Sequence, residues 1–286
     1  MTRSVVVGID GSRESLVAAE WAAREAALRD LPLRLVHAAP APVRESADGP
    51  VALTWQQTGE ELLHRAQADL AGRYPSVAMS VVQMADSAAP ALLSASETAE
   101  LLVVGARGDG GFDGLVVGST ALATAGTASC AVAIVPGNPP AAAHDAEVCV
   151  GADAWHAAGP PLDFAFSAAQ LRGARLRALY AWSLSGPAPW SAHGVPEEDR
   201  AAWEDEEVQR LSDVLEGRQD KYPDVTVLPD VVLLHPAYAL VHASQRADLL
   251  VLGRRSGPRA AERRLGPVAH AVLHHSRCPV VVVPHG

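Results

Sequence analysis

Between residues 105 and 120 the sequence reads GARGDGGFDGLVVGST. Two residues separate Gly105 from Gly108, nine separate Gly108 from Gly118, and Ser119 follows directly. Glycine at 105 and 108 lets a chain turn tightly and bring backbone N–H groups close to a polyphosphate, with no Cβ in the way. Gly118 and Ser119 open a helix whose unpaired N–H groups and dipole favour an anion, with a hydroxyl as a further donor. Asp10 stands in VVVGIDGS near the start. At the end of a strand its carboxylate can accept a ribose hydroxyl or help hold a phosphate-bound Mg²⁺. It can equally serve as the N-cap of a helix beginning near Ser12. Ala38, after a second apolar run, offers backbone groups and a small wall to a base, while Val36 and His37 read as strand core.

Other chemistries leave less trace. The sequence holds no G-x-S-x-G elbow, no H-E-x-x-H and no Walker lysine motif, and its single lysine is Lys221. His270 and His274 lie four apart on a predicted helix, followed by His275. No third metal ligand accompanies them, so no metal site is assigned. Cys130, Cys149 and Cys278 are too few and too scattered for a disulfide framework or a zinc site, which fits a reducing, cytoplasmic interior. The net charge is −10, from 23 basic and 33 acidic residues, which argues against a general nucleic-acid binder. The first residues lack the apolar core of a signal peptide. The uncharged stretch 114–135 is broken by Gly, Ser and Thr, so a buried helix and strand are expected there instead of a membrane span.

Those functional residues need a scaffold, and the sequence shows one made twice. SVVVGID (4–10) matches EVCVGAD (147–153), and LRDLPLRLVHA (28–38) matches LRGARLRALYA (171–181), both at an offset of 143. Trp55 and Trp203, LLVVG (101–105) and LLVLG (249–253), and CAVAIVP and CPVVVVP match at 148. The second copy thus carries five more residues in its Gly/Pro-rich segment near 183–198. PGNPPAAAHDAE (136–147) reads as a linker, which places domains at 1–140 and 146–286. In the first copy, short Val-rich runs (5–9, 33–37, 77–83, 101–105, 131–135) are expected as buried strands. The longer stretches 12–29, 55–74, 88–98 and 119–128 are expected as helices. Alternating strands and helices predict a doubly wound parallel sheet, with functional loops beyond the strands' carboxyl ends. Hydrophobic residues make up 49% of the chain but aromatics only 5%, so small aliphatics must fill the core. The expectation is two tandem five-stranded sheets of the same strand order, not one continuous sheet.

VVVGIDGS, the VHA at 36–38 and G-x2-G-x9-G-S together resemble the nucleotide-binding branch of the universal stress protein (UspA-like) family, and the resemblance covers nearly the whole chain as a tandem pair. It implies two α/β domains of flavodoxin- or Rossmann-like type (adenine-nucleotide alpha-hydrolase-like), helices on both faces, ATP or AMP binding and a stress-response regulatory role. By that resemblance Asp10 would contact ribose or metal, Ala38 adenine, and Gly105, Gly108, Gly118 and Ser119 the ribose and phosphates. It also implies that the last strands, 131–135 and 280–283, could pair the two copies as an internal pseudo-dimer. A homodimer and an unknown protein partner stay open.

The second copy departs from the motif in GRRSGPRAAERRLGP (253–267): Ser256 stands for the second glycine and Pro267 for the serine. Proline removes a hydroxyl and an N–H, although it suits a first helical turn. Arg254, Arg255, Arg259, Arg263 and Arg264 could grip phosphate by another route, or form a solvated basic loop. One intact and one damaged nucleotide site are expected. The favoured function is an ATP- or AMP/ADP-binding regulatory protein without catalytic machinery. A slow ATP-hydrolysing or nucleotidyl-transfer enzyme, and a scaffold that binds no nucleotide, are the alternatives.

Overall fold

A computed structural model describes residues 3–40, 50–108, 116–138, 146–155, 159–182, 197–257 and 265–286. The first repeat runs β1 (Ser4–Gly8), α1 (Arg13–Arg29), β2 (Leu33–Ala38), α2 (Pro50–Arg73), β3 (Met79–Met84), α3 (Ala88–Ser96), β4 (Ala99–Gly105), α4 (Ser119–Thr127) and β5 (Ala131–Val135). The second runs β6 (Glu147–Gly151), α5 (Gly159–Arg172), β7 (Arg175–Trp182), α6 (Glu197–Lys221), β8 (Val227–Leu233), α7 (Pro236–Ala243), β9 (Leu249–Arg255), α8 (Pro267–His275) and β10 (Val280–His285). Every expected element of the first repeat is present; the largest boundary shift lies in α2, with smaller ones in β3, α3 and β4.

Local chemistry sets the ends. Ser12 caps α1 by accepting from the Ser15 N–H, and α1 stops at Asp30, whose φ of 52° is left-handed. The matching position in the second repeat is Gly173, with φ 58°. Glycine adopts that conformation without cost and aspartate tolerates it, so both copies turn at the same place. The strands next to them are Val- and Leu-rich and buried on both faces, as parallel strands between two helical layers must be. α1, α2, α5 and α6 pack one face, and α3, α4, α7 and α8 the other. No helix among the described residues is long and apolar enough to cross a membrane.

The strand order is β3-β2-β1-β4-β5-β10-β9-β6-β7-β8. Within each repeat all pairings are parallel and the order is the same, read outward from the centre. The two sheets are nevertheless not separate. β5 and β10 pair antiparallel, with Val280 opposite Ile134 and Val282 opposite Val132, which makes one ten-stranded sheet. The expectation of separate sheets is corrected here, and the pairing of last strands implied by the resemblance is present. The physical reason is the burial of β5 along its whole length: as a free edge it would expose both an apolar strand and its unpaired backbone groups.

At the amino end of β6, Glu147 is buried and receives Arg175 Nε at 2.9 Å and Arg177 through Nε and Nη2 at 2.9 and 3.0 Å. Arg177 Nη1 continues to Asp230 on β8 at 2.9 Å, so one ionic chain ties three strands. Burial alone would raise the Glu147 carboxyl, but the hydrogen bonds and charges of Arg177 and Arg175 overcome it and hold its pKa below the ordinary 4.5. A depressed carboxylate adds stability that is present above the unfolded-state value and lost as pH falls through the folded one. Glu147→Gln is therefore expected to destabilise the neutral-pH protein by about 1–3 kcal/mol. The variant should also lose less stability than the wild type between neutral pH and about pH 3. Equal acid sensitivity in urea titrations of the two proteins would refute this role.

Candidate functional site

The chain leaves β1 toward β2 on one side and returns to β4 on the other. A crevice therefore opens beyond the carboxyl ends of β1 and β4, where open α/β sheets hold ligands. A cavity of about 300 Å³ occupies it. Asp10, Ala38, Gly105, Gly108, Gly118 and Ser119 all line this one cavity.

Asp10 is exposed. Its Oδ1 accepts from the Ser12 N–H at 2.9 Å and the Ser12 hydroxyl at 2.6 Å. Ser12, not Asp10, is the N-cap of α1, so the capping alternative for Asp10 is replaced by a supporting role two residues before the cap. Asp10 Oδ2 lies where a Cβ on Gly108 would stand. Gly108 is therefore glycine for the sake of Asp10. Gly105 is similar: a Cβ there would sit 2.9 Å from the Glu14 carbonyl carbon and 3.0 Å from its oxygen, in the first turn of α1. The sequence reading gave both glycines to close ligand approach; both line the cavity, and the structure adds a backbone contact at Gly105 and a side-chain contact at Gly108.

Gly118 differs from both. Among the described residues beyond its chain neighbours, a Cβ at this position would have no atom nearer than 3.7 Å, and φ −77°, ψ 161° suits any residue. The loop is closed behind it by Gly118 N–H to Ala106 O at 2.8 Å and Ala106 N–H to Val135 O at 2.7 Å. Leu122 N–H bonds Gly118 O at 3.1 Å, so the N–H groups of 119–121 precede the first intrahelical bond of α4. Ser119 is exposed and Thr120 half-buried, and both line the cavity. Gly118, Ser119 and Thr120 form the open, donor-rich part of the site. Residues 109–115, the middle of the nine-residue spacing, lie outside the described residues.

Ala38 lies two residues past the last β1–β2 ladder bond, Ile9 N–H to Val36 O at 2.8 Å. His37 beside it is half-buried and lines the cavity. The ring donates from Nδ1 to Ile9 O at 2.7 Å, which makes Nε2 the acceptor nitrogen. A Cβ on Gly59 would stand 2.6 Å from that ring, so α2 closes over it. Sequence reasoning took His37 for core, and it left out Arg107 and Thr120, which also line the cavity. A polar residue at the end of an apolar strand was the available signal for His37.

The second repeat also has a cavity, of about 470 Å³, lined by Asp153, Tyr180, Ala181, Arg255, Gly266 and Pro267 among others. By volume it exceeds the first, but its donors do not match. Ser256 turns onto the last strand, giving both its N–H and its hydroxyl to His285 O at 2.7 and 2.9 Å. Arg254 is buried and donates to Ala128 O at 2.6 Å in the first repeat. Arg259, Arg263 and Arg264 lie outside the described residues. Asp153 keeps its turn, accepting from Trp155 N–H at 3.0 Å. On α8 the rings of His270 and His274 are 4.6 Å apart, and no group of three potential metal ligands occurs among the described residues.

The universal stress protein family model matches residues 1–136 and again 147–284. Universal stress protein Rv2623 of Mycobacterium tuberculosis is 36% identical over 289 residues, covering 97% of this chain and 95% of its own. A universal stress protein of Mycolicibacterium smegmatis is 34% identical, with 98% and 96% covered. Among solved structures, a universal stress protein from Archaeoglobus fulgidus superposes over 100% of both chains with a TM-score of 0.69 at 16% identity, a likeness of fold. The chain belongs to the universal stress protein family, with two of its domains in tandem.

Proposed function

We propose that the first repeat binds ATP or a related adenine nucleotide and that the protein acts as a nucleotide-dependent regulator in the cytoplasmic stress response. The observation that carries this reading is Gly118: an unhindered Cα at the start of α4, flanked by helix N–H groups and the side chains of Ser119 and Thr120, facing a cavity that Arg107 also lines. Such a terminus favours phosphate. Asp10, fixed through Oδ1 by Ser12, would meet the ribose or a phosphate-bound Mg²⁺, and the end of β2 at Ala38 would meet the base. Divided at 1–140 and 146–286, the two units would differ in affinity. In the second, Pro267 at the start of α8 removes one donor N–H and a hydroxyl, and Arg254 is drawn away. The chain's lysine, Lys221, sits at the end of α6, outside the first cavity.

Calorimetry on the full chain should give close to one nucleotide per chain. At 100 times its dissociation constant, ATP should stabilise the first repeat by about 2.7 kcal/mol, a melting shift of several degrees. Gly118→Val should fold with a loss of under about 1 kcal/mol, because the site is sterically open, and should abolish the shift. Gly266→Val should leave the shift unchanged. Two equally tight sites, or loss of the shift only in Gly266→Val, would refute the assignment.

Gly108→Ala should behave differently from Gly118→Val, because the added methyl meets Asp10 and not the cavity. A stability loss of about 1–3 kcal/mol without ligand is expected, as for overpacking elsewhere. An unchanged melting point would show that Asp10 yields freely. Phosphate release from ATP should stay well below about 1 per second, and turnover at or above that rate would favour an enzyme.

A further inference from the structure

The ten-stranded sheet ends on β3 in the first repeat and on β8 in the second. A parallel ladder uses alternate residues of an edge strand. Leu33 N–H bonds Ala78 O and Ala39 N–H bonds Met84 O, both at 2.9 Å. Ala78, Ser80, Val82 and Met84 therefore turn their backbone groups inward to β2, and Met79, Val81 and Gln83 turn theirs outward. Of these outward groups, only Met79 O has a partner among the described residues, the Gln67 amide of α2 at 3.1 Å. On the strand face away from α2, Ser80 and Val82 are exposed, Val82 by 38%.

β8 is built in the same register but is guarded. Leu176 N–H bonds Thr226 O at 2.9 Å, which leaves Val227, Pro229 and Val231 facing outward. Pro229 has no N–H to offer there, and Asp230 beside it carries a charge, held by Arg177 at 2.9 Å. Proline and charge are common means of keeping a sheet edge from pairing. At the 148-residue offset, Pro229 answers Val81 and Asp230 answers Val82, so β3 has neither guard. From Pro75 to Ala85 the chain carries no charge, whereas the matching stretch 223–233 holds Asp224 and Asp230.

We propose that β3 is a docking edge for a second copy of this chain, the two β3 strands pairing antiparallel about a two-fold axis at Val81. On that axis Val81 gives its N–H to Val81 O of the copy and accepts one in return. Met79 then faces Gln83 and Ser80 faces Val82, so the copy covers the exposed valine, and about six backbone hydrogen bonds cross the axis. A two-fold contact sets a patch against its own image, which repels any net charge on it and suits an uncharged strand. Asp86, the nearest charge after the strand, falls opposite Ser76. The pairing repeats the antiparallel step that β5 and β10 already make, and it carries the sheet on into a second set of ten strands. A strand edge buries less than a standard interface of roughly 1,600 Å², so the dimer is weak, with a dissociation constant on the order of 10–100 µM.

The test is sedimentation velocity of the full chain from about 1 to 500 µM, a range that brackets this constant, with hydrogen exchange read at both ends. A reversible dimer is expected, with the Met79, Val81 and Gln83 amides slowed at high concentration and those of Val227 and Val231 unchanged. Val81→Pro copies the guard of β8 and removes only an outward N–H, so the ladder to β2 stays. That variant should fold and remain a monomer throughout. Should it fail to fold, Val82→Lys, at an exposed position, should weaken the dimer about tenfold or more. A monomer at the highest concentration, a dimer as tight in either variant as in the wild type, or slowed exchange at β8 instead of β3 would each overturn the proposal. So would a chain that stays monomeric while an added Thr/Val-rich peptide slows its β3 amides, which would give the edge to a foreign strand.

Discussion

The pairing of β5 with β10 is the constraint from which the rest of the molecule follows. Each repeat ends on an apolar strand, β5 buried along its whole length and β10 buried over Val280–Val283, and neither could be left as an edge. When two like strands meet about a two-fold axis, they must run antiparallel. All strands within a repeat are parallel, so that one antiparallel step reverses the whole second half of the sheet. The carboxyl ends of the two repeats consequently point to opposite ends of the molecule, and their two cavities cannot merge into one site. It also brings the amino end of β5 beside the carboxyl end of β10, and a cavity of about 460 Å³ lies at that seam.

Once the repeats are locked in this way, residues at matching positions can take different tasks. Arg29 and Arg172 are equivalent and both reach for one carboxylate, but Glu25 has Ala168 as its counterpart. Ala106, whose backbone closes the first loop, is matched by Arg254, whose guanidinium crosses into the other repeat. Gly108 admits Asp10, while Ser256, freed from that contact, bonds the last strand. A buried arginine is costly unless its N–H groups find acceptors, and Arg254 finds one across the seam at Ala128 O. Asymmetry therefore accumulated where the two halves touch and where the loops end.

The repeat register, the strand–helix alternation and the convergence of Asp10, Ala38, Gly105, Gly108, Gly118 and Ser119 on one cavity were legible in the sequence because each rests on local pattern: period, punctuation and glycine spacing. The reasons for the glycines were not. Gly105 packs on Glu14 and Gly108 on Asp10, contacts spanning about ninety residues that no spacing rule reveals. His37 read as core because its neighbours are core, and only the turn of β1 away from β2 opens a cavity beside it. The continuous sheet was legible through the family resemblance but not from the runs themselves, since a buried strand does not state what covers its edge. Arg254 read as part of a basic loop, and only the fold shows it buried.

Arg254 also shows how the first cavity depends on the second repeat. α4 begins at the open Gly118 and ends one residue before Ala128, whose carbonyl accepts from the buried guanidinium. A helix of nine residues presents partial positive charge at its start and partial negative charge at its end. With the guanidinium fixed at the end, the start of α4 is left as the terminus that calls for an anion. The same bond anchors the helix to β9, so the N–H groups of 119–121 are held in place before any ligand arrives. Pre-organised donors lose less freedom on binding than donors that must be ordered by the ligand. The counterpart helix α8 starts with proline, and the residue equivalent to Arg254 on its side is Ala106, which offers no cation. The proline start and the absence of an arginine anchor thus fall on the same helix, and the two cavities differ in chemistry more than their volumes suggest.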